Sequence, residues 1–106
     1  MLNITHRKGD PFGRIGRIPL TYADGYFVGW AITSQVRDSR GSLISQLATG
    51  WLTPENTTRL FEVTDATTDN WPLGQLVMDI RFESPTGGVA RSQIINITCE
   101  RSITHG

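Results

Sequence analysis

The residues of this chain that could do chemistry are few, and their spacing decides most of what they can do. Asp79 and Glu83 lie four apart in the alternating stretch "QLVMDIRFE", on one face of a strand. At about 3.3 Å per residue their Cβ atoms stand roughly 13 Å apart, too far for a paired-carboxylate glycosidase. His6, Asp10 and His105 are the residue types of a metal or acid–base cluster, but both histidines are close to the ends of the sequence. They are expected on frayed termini, with no metal between them. Cys99 is the single cysteine, which excludes an internal disulfide and a multi-cysteine metal site. Its setting in "INITCE" predicts a small buried strand residue, with no basic neighbour to favour the thiolate. HExxH, GxSxG and P-loop patterns are missing, and the glycines of "GDPFGRIG" lack the GxGxxG spacing. The expectation is no catalytic residue, no enzyme activity and no cofactor.

Trp30, Trp51 and Trp71 could stack on sugar rings if they stood exposed in a row. Trp30, however, shares a strand face with Ile32 and Val36, and Trp71 precedes Pro72 in a turn, so both read as core. Trp51, after Gly50, is left open as a ligand contact.

The elements that position these residues are short strands. In "QLVMDIRFE", Leu76, Met78, Ile80 and Phe82 alternate with Val77, Asp79, Arg81 and Glu83, the pattern of a strand with one buried face. "GWAITSQVR" alternates in the same way and should end in a turn at Asp38–Gly41, with "SLISQLATGWL" returning as its antiparallel partner. "FGRIGRIPLTY" reads as a first strand, "TTRLFEVTD" as a fourth, and "ARSQIINITCER" as the last, entered through the "SPTGG" turn. Between them, "TDATTDNW" predicts a short helix or 3₁₀ turn near 65–71, with Trp71 as a plug beneath it. The expected core is Trp30, Ile32, Val36, Leu76, Met78, Ile80, Phe82, Ile95 and Ile97. The fold expected is all-β, an immunoglobulin-like antiparallel sandwich of six to seven strands, with a barrel the other option. One domain spans 1–106, with 1–11 as a possible extended docking arm.

Ten basic and ten acidic residues cancel, so the chain lacks the charge that would draw it to nucleic acid or an anionic membrane. "MLNITHRKGD" has no apolar signal-peptide core, and no apolar run is long enough to span a bilayer. A cytoplasmic product is expected.

Three longer stretches carry a resemblance. "LNITHRKGDPFGR", "GWAITSQVRDSRGSLI" and "WPLGQLVMDIRFESPTGGVARS" resemble the Ig-like β-sandwich modules of phage and prophage tail and baseplate proteins, related to the N-terminal domain of baseplate upper proteins. The shared pattern is "GD-x-F", "GW-x-I-x-x-Q-V-R", "W-P-x-G" and "D-I-x-F", over about Asn3 to Ile97. Members more often open with "GDTF"; Pro11 here removes a backbone donor. The resemblance implies a non-enzymatic virion protein, made in the host cytoplasm, that docks onto other particle proteins and copies of itself. A capsid decoration or head–tail joining protein, and a carbohydrate- or receptor-binding module, are the alternatives. Small-molecule ligands are not expected.

Docking should use the N-terminal segment and a strand edge. "LNITHRKGDPFGRIG" is too broken for a regular central strand, and an open sandwich leaves unpaired amides and carbonyls. The expected contacts are Leu2, Ile4, His6, Arg7, Asp10, Phe12 and Trp51.

Overall fold

Alternation fixes the middle of the larger sheet. In the computed structural model, which describes residues 2–54, 57–92 and 94–101, Gly74–Glu83 forms a strand whose Leu76, Met78, Ile80 and Phe82 are buried. Ala31–Asp38 pairs antiparallel along its whole length, from Ala31 opposite Glu83 to Asp38 opposite Leu76. In chain order the strands are β1 (Leu2–Arg7), β2 (Phe12–Arg17), β3 (Ala31–Asp38), β4 (Leu43–Gln46), β5 (Ala48–Trp51), β6 (Leu60–Asp65), β7 (Gly74–Glu83), β8 (Val89–Arg91) and β9 (Ile95–Glu100). One sheet runs β1-β9-β7-β3-β4, with β8 also on β7; the other runs β2-β6-β5. All ladders are antiparallel except β1 on β9.

The all-β sandwich expected from the sequence is therefore present, with nine strands among the described residues rather than six or seven. "SLISQLATGWL" is not one strand. It divides at Leu47, where the chain leaves the β3 ladder for β6. "FGRIGRIPLTY" stops at Arg17, and the N-terminal residues are not an arm: β1 is a sheet strand in register with β9, Leu2 opposite Ile95 and Arg7 opposite Glu100.

No helix occurs at 65–71. That segment is a set of side-chain-tied turns, with the Asp65 carboxylate accepting from Thr67 N–H and from Trp71 Nε1, and Trp71 N–H donating to Thr68 carbonyl. Aspartate and threonine side chains satisfy these donors locally, which removes the need for helical hydrogen bonds. The plug itself is as expected, with Trp71 fully buried.

Val36, Leu76, Met78, Ile80, Phe82, Ile95 and Ile97 are buried as expected, while Trp30 and Ile32 only pack against the core from its margin. The predicted turns also form. Asp38 Oδ1 accepts from the amides of Arg40 and Ser42, and "SPTGG" closes the β7–β8 hairpin through Ser84 N–H to Gly88 carbonyl. The long connection before β3 is held by Arg59, whose guanidinium donates to the carbonyls of Ile18, Pro19 and Tyr22 and to Asp24.

Candidate interaction site

Lys8–Pro11 carries the chain from one sheet to the other and sets a corner between β1 and β2. Gly9 has φ +93°, a left-handed conformation that suits glycine. Its N–H donates to Thr68 Oγ1 at 2.8 Å, and that hydroxyl donates to the Asp10 carbonyl at 2.8 Å. His6 Nε2 lies 3.1 Å from the same carbonyl and 3.0 Å from Thr68 Oγ1. A carbonyl only accepts, so Nε2 carries the proton. The ring packs against Phe12 and Trp71 at centroid distances of 5.3 and 5.2 Å. Burial pushes the His6 pKa below its ordinary value, against smaller opposing effects of the Asp10 carbonyl and carboxylate.

His6 is thus a buried, neutral linchpin rather than a residue on a frayed end. Its position on β1 beside the buried strand β9 puts it there: it is in register with Cys99. His105 lies outside the described residues. Cys99 is buried as expected, and burial pushes its thiol pKa up.

Away from this corner the two strands diverge. Among the described residues β1 pairs only with β9 and β2 only with β6, so each keeps one edge without a ladder partner there. Along the inward row of β1, His6 is buried, Ile4 is half-buried and Leu2 is 48% exposed. On the inward row of β2, Phe12 is buried, Arg14 is exposed and Gly16 is half-buried, and outward-facing Ile15 is 67% exposed. A hollow of about 130 Å³ opens between the strands, walled by Leu2, Ile4, Arg14 and Ile15 and floored by Phe61, Met78 and Ile80. Gly16 is required there. A Cβ at this position would lie 2.2 Å from Cζ of Phe61, whose ring covers the glycine.

On the opposite side of the sandwich the chain itself joins the sheets where β4 becomes β5. Leu47 is buried where β4 becomes β5, its N–H donates to Ser34 carbonyl, and Thr49 Oγ1 donates to Ile32 carbonyl. One continuous segment stitches both sheets together.

Of the expected contact residues, Leu2 and Ile4 stand at the open seam, and Arg7 and Asp10 are exposed near the corner. His6 and Phe12 are inside the protein and offer no surface to a partner. Trp51 does not line the seam; it is on β5, packed on Phe61 and Phe82 at 5.9 and 6.2 Å. With Trp30 it lines an open cleft that also includes Gly29 and Thr53. Sequence reasoning passed over Arg14 and Ile15, although an arginine on the inward row of a strand is a legible anomaly.

No protein-family model and no curated protein sequence matches the chain. Among solved structures it is similar to CopC from Methylosinus trichosporium OB3b, with a TM-score of 0.50 at 14% identity over 96% of this chain and 89% of that one. At that identity the likeness establishes the fold. It also overturns the resemblance to phage tail and baseplate modules: the solved structure that the chain is similar to is CopC, and no family model or curated sequence points to a phage particle. The virion adaptor and the virion location are withdrawn with it, and the capsid, head–tail and sugar-binding alternatives gain no support.

The reason lies in what the quoted motifs do. "GD-x-F" builds the Asp10–Phe12 corner, "W-P-x-G" seats Trp71, and the two alternating stretches are β3 and β7. Each is a requirement of the sandwich, so together they mark a fold and not a particle. Nor do the residues present fit a copper centre. Among the described residues no three His, Cys, Asp or Glu converge, and the His6 Nε2 proton is already engaged.

Proposed function

We propose that this protein is a non-enzymatic binding module that takes an extended segment of a partner protein into the open seam between β1 and β2. The observation that carries the reading is the seam itself: two strands on opposite sheets, each with an unpartnered edge, flank one apolar hollow. An edge strand supplies backbone donors and acceptors for an added strand, and a side-chain hollow supplies selectivity. At about 130 Å³ the hollow is well below the roughly 300–1,000 Å³ of ordinary small-molecule pockets. It suits one branched aliphatic side chain. A net charge of zero gives no general attraction for nucleic acid. The absence of catalysis is part of the proposal, supported by a histidine tied into the core and a thiol held protonated.

The test is binding of a fluorescent nine-residue peptide of alternating valine and threonine with a central glutamate. The native protein should raise its anisotropy, and a Leu2→Asp/Ile15→Asp variant should not, with the urea midpoint of the variant close to the parent's. Equal binding by both proteins would contradict the reading.

A further inference from the structure

Arg14 gives the seam a charge preference. We infer that the seam selects an extended partner segment with a carboxylate-bearing side chain beside its aliphatic one, and that Arg14 reads that carboxylate; this rests on the proposed function above.

Position 14 belongs to the inward row of β2. Its neighbours on that row are the buried Phe12 and the half-buried Gly16, and its register partner on β6 is the buried Val63. An apolar residue there would simply have extended the core. The arginine instead lays its guanidinium over Phe12, with Cζ 5.6 Å from the ring centroid, and reaches the seam mouth beside Leu2 and Ile15. Among the described residues its one hydrogen bond goes to the neighbouring Gly13 carbonyl and no carboxylate pairs with it. The guanidinium is held in place by an aromatic face and keeps most of its donors for another molecule.

An inward charge on an edge strand has a second effect. It penalises indiscriminate pairing, because an incoming apolar strand would have to desolvate the cation without compensation. A strand bearing a carboxylate at that point removes the penalty and gains a charge-assisted hydrogen bond.

The surroundings point the same way. Residues 2–17 carry Arg7, Lys8, Arg14 and Arg17 against Asp10 alone, although the whole chain is neutral. Two copies meeting through this edge would bring like charges together, which disfavours self-pairing there. The occupant that fits is a different chain, extended, apolar on the hollow side and acidic nearby.

The experiment uses three otherwise identical valine–threonine nonapeptides whose central residue is glutamate, glutamine or lysine, against the native protein and Arg14→Glu at low salt. The native protein should bind the glutamate peptide about fivefold or more tightly than the lysine peptide, as expected for a pair at a wet rim. Arg14→Glu should invert the order, and added salt should shrink both preferences. Binding that ignores the central residue would overturn this inference and leave the seam as a docking site. No binding of any peptide would overturn both.

Discussion

The two sides of this sandwich are built differently. On the β4–β5 side one unbroken segment crosses between the sheets, buries Leu47 at the crossing and donates to β3 at Ser34 and Ile32. On the β1–β2 side the crossing is confined to the tight corner at Lys8–Pro11, and beyond it the strands part over an apolar floor. The same sequence thus ties the sheets together along the β4–β5 crossing and leaves β1 and β2 parted beyond their corner. Closure is structural; the opening is where a function can act.

That contrast predicts unequal sensitivity to the same truncation. Leu47→Ala should cost about 2–5 kcal/mol, as removal of a buried leucine does. Leu2→Ala at the half-exposed seam should stay within about 0.5 kcal/mol, as surface changes do. Urea unfolding of both variants measures this, and equal losses would erase the distinction between the seams.

Next in size is Gly16→Ala. A methyl group there enters the Phe61 ring, so the loss should be about 1–3 kcal/mol, an ordinary overpacking cost. Shortening the obstacle with Phe61→Leu in the same chain should make the Gly16→Ala step cheaper than it is in the parent. An unchanged cost would mean that the ring does not lie over the glycine.

The smallest effect concerns pH and the corner that hinges the open seam. The folded pKa of His6 is lowered from 6.5 by burial, so the folded state binds fewer protons than the unfolded one as pH falls. Stability should therefore be complete above about 6.5 and decline below it, toward the lowered folded pKa. His6→Gln should lower the plateau and flatten this slope. A His6→Gln variant with the parent's full acid slope would remove His6 as its source.

Much of the scaffold was legible in the sequence because its signals are local. Period-two alternation named β3 and β7 and placed Val36, Met78 and Ile80 inward, and "DSRG" and "SPTGG" named their turns. What escaped reading depends on contacts between distant residues. Nothing near Leu47 says that the chain changes sheets there, since strand propensity continues through "SLISQLATGWL". His6 looked terminal because its partner Thr68 is 62 positions away. The turns at 65–71 were read as helical because capping residues serve a helix start and a side-chain-tied loop equally well. At the proposed seam, Leu2 and Ile4 follow from the edge argument, while Arg14 and Ile15 do not, because nothing in the sequence says that this side of β2 is open. The phage resemblance failed for a related reason: short motifs that satisfy the packing rules of a sandwich recur wherever those rules apply.

The most direct test of the open seam is amide hydrogen exchange by NMR, with and without saturating glutamate nonapeptide. If an extended segment docks between β1 and β2, free-edge amides within Leu2–Arg7 and Phe12–Arg17 should gain protection, while those of β4 and β5 should keep their parent rates. Protection gained at β4 and β5, or none gained at β1 and β2, would contradict the account.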